Sequence, residues 1–290
     1  MNFKEVLLIV NPIAGHTDKK KIISTVHDHL EQIKAGYHLY MTTGENDKDK
    51  IQSEIEDHNI DRVLVAGGDG TINLVAEAIK DYDLTLGIIP SGSANGLAVN
   101  FDLPEELDSQ IEVALGENYK DIDLLCLNDI ICLHMSDLGI NAELIRNYEN
   151  SSFRGKFGYL IQSIPTLIQS EYPFDFLIET EDFFQEAKAV LLGFANVKKY
   201  GTGANVNPNG IPDDGIFEIL IFKKLSLGEI LKTLRNETDL DPDFVEIIPA
   251  KKAKITCRKP VSFQIDGEYI GKKTEINIKI LPQKLRLAIP

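Results

Sequence analysis

Long apolar runs are missing from this 290-residue chain. No stretch approaches the roughly 18 apolar residues that a membrane-crossing helix needs. The N-terminal MNFKEVLLIVNP holds a five-residue apolar run that ends in Asn11-Pro12. It reads as a buried strand and lacks the cleavage pattern of a secretory signal. Cysteine is scarce: Cys126, Cys132 and Cys257 are too few and too unevenly spaced for a disulfide framework or a zinc site. A reduced, cytoplasmic setting is the expectation that follows. Basic residues are outnumbered 30 to 45 by acidic ones, for a net charge of −15. That deficit excludes a general nucleic-acid binder, which carries a basic footprint. It also argues against tight docking of the whole protein on an anionic membrane. The pairs Lys198-Lys199, Lys223-Lys224, Lys251-Lys252 and Lys272-Lys273 read as solvated surface, with a membrane-facing patch as the alternative. There is no low-complexity tract and no fixed-period repeat. No Walker loop and no Gly-x-Gly-x-x-Gly pattern occurs. The six histidines show no metal spacing, and His134 reads as packed.

What is present is enough apolar residue, 43 %, to fill two cores. The first hundred residues alternate strand and helix signals. EVLLIVNP suits a strand buried on both faces. Ile22, Ile23, Val26, Leu30 and Ile33 then recur at helical spacing over Lys19 to Ile33. YHLYMTT, DRVLVAGG and LTLGIIP predict further strands, DKDKIQSEIED and TINLVAEAIK further helices. Such alternation predicts a parallel, three-layer α/β domain with ligands at the carboxyl ends of its strands. From about Asp121 the rhythm changes to strand-like runs separated by turns: DIDLLCL, DIICLHMSDLG, FDFLIET, EAKAVLLGFANV, GIFEILIF, AKITC, VSFQIDGEYIG and TEINIKILP. Helices are expected near Lys156–Ile168 and Ser226–Leu234. The expected division is residues 1–122 as the α/β domain and 123–290 as a β-rich, sandwich-like domain, the final segment returning to the first. A cleft between the two is the expected site.

Three strand ends carry unusual turns. In RVLVAGGDGTINLVAEAI a strand runs into Gly67-Gly68-Asp69-Gly70-Thr71 and straight on into a helix. A helix start exposes backbone N–H groups that favour anions, and glycine lets the backbone approach a phosphate. Thr71 is placed to cap the helix or to touch a phosphate. The plainer reading is an ordinary strand–helix turn. A second junction, LTLGIIPSGSANGLAVNF, leads through Pro90 into Ser91-Gly92-Ser93-Ala94-Asn95-Gly96. A third, VNPIAGH, offers Asn11, Pro12 and Gly15. Each turn alone is weak, whereas together they suggest a nucleotide lying across one sheet end.

In order and spacing, Asn-Pro, Gly-Gly-Asp-Gly-Thr-x-Asn and Pro-x-Gly-Ser-x-Asn resemble the diacylglycerol kinase catalytic domain family, which includes bacterial soluble lipid kinases, sphingosine kinases and ceramide kinases. NPNGIPDDGIFEILIF and FQIDGE extend the resemblance over nearly the whole chain. It implies ATP with magnesium and phosphorylation of a lipid hydroxyl. It further implies that Gly67, Gly68, Asp69, Gly70, Thr71 and Asn73 surround ATP, with Thr42, Ser93 and Asn95 from neighbouring loops and Asn11 near the phosphates. Asp69 would meet a hydroxyl or magnesium. One carboxylate beside phosphate and a hydrated magnesium is chemically reasonable.

Phosphoryl transfer to an alcohol needs an oriented nucleophile and a group to take its proton. VSFQIDGEYIG reads by itself as a hairpin with an Asp-Gly turn. The family resemblance assigns the proton acceptor to Glu268, with Asp266 as its close partner, while sphingosine kinases point instead to Asp69. GIPDDGIFEI reads by itself as a turn entering a strand. By resemblance it holds a second, structural magnesium through Ile211, Asp214 and Ile216, the two isoleucines through backbone carbonyls. Two departures stand out: Leu74 replaces the family's usual glutamate, with Glu77 one turn later, and Asn95-Gly96 replaces Asn-Asp. The expected partners are ATP and a lipid met transiently at the inner membrane face, with no nucleic acid. A homodimer is compatible with the sequence and not specified by it. The competing readings are an NAD kinase or phosphofructokinase relative, and a nucleotide- or lipid-binding regulator without turnover.

Overall fold

Strand β1 (Glu5–Val10) is buried along nearly its whole length, with Val6 to Val10 each 0 % exposed. Its even-numbered residues Val6, Leu8 and Val10 share one core with Ile22, Val26 and Leu30 of helix α1 (Lys19–Ile33). Side chains alternate across a strand, so Leu7 and Ile9 face the other side and need a second cover. The computed structural model describes residues 3–15, 17–149, 172–200, 203–235 and 237–290. The helix expected near Lys156–Ile168 lies outside the described residues.

The chain forms two units, Met1–Ile122 with Gln283–Pro290, and Asp123–Pro282. In the first, β1 lies between β2 (Gly36–Met41) and β3 (Arg62–Gly67), and β4 (Thr85–Pro90) extends the sheet beyond β3, every pairing parallel. Helix α2 (Asp47–His58) packs on α3 (Asp69–Ile79), and α5 (Leu107–Ala114) joins α1 in the core on the other face. Short α4 (Gly96–Asn100) follows the second glycine loop. The Asp18 carboxylate caps α1 by accepting from the N–H groups of Lys20 and Lys21, and Lys34 closes it in the left-handed region. The expected parallel α/β layers are therefore present, and the expected bounds of α1 match those observed.

The second unit is almost wholly antiparallel. It begins within β5 (Tyr119–Leu127), which pairs with β6 (Ile130–Cys132). Next come β7 (Met135–Gly139), α6 (Ile140–Glu149), β8 (Phe174–Thr180), β9 (Phe184–Ala189), β10 (Leu191–Ala195) and the short pair β11 (Lys199–Tyr200) and β12 (Ala204–Asn205). Then follow β13 (Phe217–Phe222), α7 (Leu227–Leu234), β14 (Val245–Ala250), β15 (Lys252–Ile265) and β16 (Glu268–Ala288), whose last residues belong to the first unit. There Arg286 and Leu287 pair in parallel with Thr85 and Leu86.

Strand β15 explains the sandwich-like form. Residues Ala253 to Cys257 pair with β8, residues Phe263 to Ile265 pair with β7, and the register shifts between Thr256 and Val261. A strand that changes partners across a bulge turns a sheet over on itself, and Pro260, which has no N–H to lose, sits in the shift. Phe194, Phe217 and Phe263 fill the enclosed core. Two expected single strands are each broken in two: DIICLHMSDLG at Leu133-His134 and EAKAVLLGFANV at Val190. Helix α6 and strand β14 were not expected from the sequence pattern.

Candidate functional site

In the first unit the three turns singled out in the sequence meet. A side-chain carbon on Gly92 would lie 2.4 Å from the Cα of Gly68, and one on Gly15 would lie 2.3 Å from the Ser91 carbonyl oxygen. Gly15 also has φ +55, a left-handed backbone suited to glycine. The Ser91 N–H donates to the Gly67 carbonyl at 2.9 Å, and the Thr42 N–H donates to the Val10 carbonyl at 2.9 Å. Asn11 donates from its side chain to Thr71 Oγ1 at 2.9 Å while its own Oδ1 accepts from the Ile13 N–H. Asn95 closes the Gly92 loop on itself, accepting from the Gly92 N–H at 2.8 Å. Among the sequence-selected residues of this loop, Ser93 is exposed.

Asp69 has a definite employment. Its carboxylate accepts from the backbone N–H groups of Gly96 at 3.0 Å and Leu97 at 3.2 Å. It ties the first glycine loop to the second, across 27 residues of sequence. The carboxylate thus faces amide donors, so its charge is met by the protein itself. Thr71 is not the helix cap. Gly68 takes that position, because the chain turns directly after β3, and Thr71 lies buried in the first turn as acceptor for Asn11. Glu77 is bound by Lys48 at 2.8 Å and Lys80 at 2.7 Å where α2 packs on α3. Burial pushes its carboxyl up, but those two ammonium groups outweigh burial and hold it below its ordinary range.

Asp47 was missed by sequence reasoning. It is 5 % exposed and accepts from Tyr40 Oη at 2.6 Å, the Thr43 N–H at 2.8 Å and the Gly44 N–H at 2.7 Å. Burial raises its carboxyl, and these donors overcome it to leave it at about 2. This side chain pins the loop beside Thr42, together with Lys50, which donates to Thr43 Oγ1 and the Glu45 carbonyl. Inside DKDK Asp47 looked like one more solvated charge.

In the second unit, Asp266 and Gly267 form the hairpin turn between β15 and β16, with φ +48 and +88. Positive φ at both central residues is the primed turn that Asp-Gly favours. Glu268 follows, exposed, opposite Ile265. Asp266 is turned inward and heavily engaged. Its carboxylate accepts from the N–H groups of Leu133 at 2.7 Å, His134 at 3.1 Å and Met135 at 3.2 Å, and lies 2.8 Å from His134 Nδ1. Burial raises its carboxyl, but His134 and the backbone donors prevail and hold it at about 2. These bonds interrupt DIICLHMSDLG. His134 is packed, as expected, and it is the counter-charge of a buried carboxylate.

The loop carrying Ile211, Asp214 and Ile216 hangs on Asp123, which is wholly buried. Asp123 accepts from the Gly215 N–H at 2.7 Å and donates its own N–H to the Pro212 carbonyl at 2.7 Å. Ile211 and Asp214 are exposed, and Asp214 Oδ1 accepts from the Ile216 N–H at 3.0 Å. Burial raises the nearby Glu218 carboxyl, and the charge of Asp214 raises it further. Oxygen donors with excess negative charge suit a hard cation.

A cavity of about 350 Å³ opens in this unit, walled by Ile140, Leu144, Val190, Leu191, Val206 and Phe244. One wall is polar. Asp137, with no exposed surface, accepts from Asn141 at 2.5 Å, Gln264 at 2.6 Å and the Ala142 N–H at 3.1 Å. Burial outweighs these donors and pushes its carboxyl up to about 6. A larger groove of about 630 Å³ is lined by charges of both signs, among them the Lys252–Glu181 pair. Cys126, Cys132 and Cys257 are free and buried. Among the described residues no helix is long and apolar enough to cross a membrane.

Comparison with known proteins agrees with both halves. The diacylglycerol kinase catalytic domain matches residues 5–127, and the YegS C-terminal NAD kinase beta sandwich-like domain matches residues 136–289. The chain is 28 % identical over 299 aligned positions to proteins named probable lipid kinase YegS from Salmonella typhimurium strain LT2 and Salmonella choleraesuis strain SC-B67, covering 100 % of this chain and 97 % of each relative. The fold matches a crystal structure described as a diacylglycerol kinase from Bacillus anthracis with TM-score 0.80 at 21 % identity, covering 100 % of this chain and 98 % of that one. A second structure from that organism, described as a putative diacylglycerol kinase, matches with TM-score 0.81 at 22 % identity and the same coverage. With two family models spanning nearly all of its length, the chain belongs to the diacylglycerol kinase catalytic domain family in its two-domain, YegS-type form, and is a phosphotransferase with an alcohol group as acceptor.

Proposed function

We propose that this protein transfers the γ-phosphate of ATP to a hydroxyl of a lipid such as diacylglycerol or a sphingoid-type lipid. The observation that carries the reading is the backbone-to-backbone meeting of the loops at Gly68 and Gly92, which leaves no side chain between a ligand and the amides there. Asn11, Thr42, Gly67, Gly68, Gly70, Thr71, Asn73, Ser93 and Asn95 would hold the nucleotide. Asp69 keeps the two glycine loops in register through its bonds to Gly96 and Leu97. Magnesium, when bound to the nucleotide, neutralises charge on the phosphates.

The Glu268 carboxylate accepts the proton of the lipid hydroxyl. The hydroxyl oxygen bonds to the γ-phosphorus as the bridging oxygen leaves with ADP. Asp266 acts through position: its bonds to Leu133, His134 and Met135 fix the turn from which Glu268 projects. The apolar cavity of the second unit takes the lipid chain. Its wall is mainly apolar with a few polar groups, the usual make-up of a small-molecule site. Ile211, Asp214 and Ile216 would hold a structural magnesium, with Asp123 keeping their loop in place.

The test compares Glu268→Gln with Asp69→Asn. The reading expects Glu268→Gln to keep ATP affinity and fold while turnover drops by a factor of about 10² or more. Unchanged turnover in that variant, with loss in Asp69→Asn at full ATP affinity, would move the proton acceptor to Asp69.

A further inference from the structure

We infer that Lys19 is a phosphate-binding residue of the first unit, gripping the polyphosphate of the donor nucleotide from the start of α1. The inference rests on the nucleotide reading of the glycine loops and adds to it a cation that the sequence motifs do not contain.

The geometry is local and specific. Lys19 Nζ lies 3.4 Å from the Ser91 carbonyl oxygen, 72 residues away in sequence. That same carbonyl is the atom against which Gly15 packs, and the residue next to it, Gly92, packs against Gly68. The ammonium therefore stands where the three loops meet. Ser91 itself is 1 % exposed, and its hydroxyl oxygen is buried without a hydrogen-bond partner. The residue whose carbonyl receives the ammonium thus also carries an unmet polar group, which costs free energy until something pairs with it.

Charge supports the same assignment. Most lysines that make contacts here are spent on carboxylates: Lys48 and Lys80 on Glu77, Lys223 on Glu246, Lys254 on Glu275. Lys19, by contrast, has a neutral carbonyl as its partner among the described residues. Its neighbour Asp18 is occupied in capping α1 through the N–H groups of Lys20 and Lys21. Burial pushes the Lys19 ammonium below its ordinary value, with no carboxylate among the described residues to restore it. A cation held so in a chain of net charge −15 gains most from a multiply charged anion. Lys20, one residue on, is exposed and gives a matched control.

The test is the affinity of the purified full chain for ATP, ADP, AMP and adenosine, measured by calorimetry for wild type, Lys19→Gln, Lys19→Met, Lys19→Arg and Lys20→Gln. Phosphate binding by Lys19 predicts that the Gln and Met variants lose about tenfold or more in ATP affinity. The loss should shrink with each phosphate removed and vanish for adenosine, while Lys19→Arg recovers most of it and Lys20→Gln matches wild type. Equal losses for ATP and adenosine would make Lys19 a structural tether of the Ser91 loop and overturn the assignment. Undiminished ATP affinity in folded Lys19→Gln or Lys19→Met would overturn it as well. Failure of the wild type to bind any of the four would bring down the nucleotide reading, and this inference with it.

Discussion

A side-chain carbon on Gly92 would sit 2.4 Å from the Cα of Gly68. The backbone at Gly92 is not left-handed, so the demand for glycine there is one of space and not of conformation. Gly92→Ala should force the two loops apart, costing about 1–3 kcal/mol of stability by overpacking. ATP affinity should fall with it. Thermal unfolding with and without ATP checks this: the variant should melt lower and gain less from the nucleotide than wild type.

Asp69 joins the same loops by another means. Replacing it with asparagine turns one acceptor into a donor facing the N–H groups of Gly96 and Leu97. An unmet amide there costs about 1–3 kcal/mol. Asp69→Asn should therefore weaken ATP binding and turnover together. Full ATP affinity with lost turnover is the pattern of a proton acceptor, and calorimetry alongside a rate assay separates the two.

Asp266 sets an acid limit on the second unit. Its folded carboxyl, at about 2, lies below the ordinary value of roughly 3.9 for an unfolded aspartate. A depressed carboxyl adds stability that is present above the unfolded value and is lost as pH falls from about 4 through about 2. Asp266→Asn should remove that dependence and, by leaving His134 without its counter-charge, destabilise the protein by about 3–5 kcal/mol at neutral pH. Denaturant titrations of both proteins between pH 2 and 7 give the comparison.

Asp137 runs the other way. Burial lifts its carboxyl to about 6, above the unfolded value, so the folded state holds the proton more tightly. Its contribution is complete below about pH 4 and is lost as pH rises through about 6. Wild-type stability relative to Asp137→Asn should fall across that window. A carboxyl resonance of Asp137 titrating near 6 in carbon NMR is the direct check.

Much of this was legible in the sequence, for physical reasons. The apolar residues of β1 and the helical spacing of Ile22, Val26 and Leu30 are local patterns, and local patterns set these elements. The glycines at 67, 68 and 92 marked the loops. What could not be read was which groups the loops meet, because Asp69 reaches 27 residues ahead and Lys19 reaches 72. The break between β6 and β7 is imposed by Asp266, 133 residues from the Leu133 N–H it accepts. Helix α6 starts beside buried Asp137, which accepts the Ala142 N–H, a bond that the apolar pattern does not show. Asp47 and Asp123 carry no local sign of their role. Only the fold shows them to be anchors, since the donors they satisfy belong to loops made elsewhere.

The most direct measurement is phosphate transfer from radiolabelled ATP, with magnesium, to micellar diacylglycerol, monoacylglycerol, sphingosine, ceramide and phosphatidylglycerol, with NAD and fructose 6-phosphate as soluble controls. A labelled lipid that disappears with Glu268→Gln is the predicted result. Label on NAD or the sugar phosphate alone would contradict a lipid acceptor. No label on any acceptor, with ATP binding intact, would contradict turnover itself and point to Leu74.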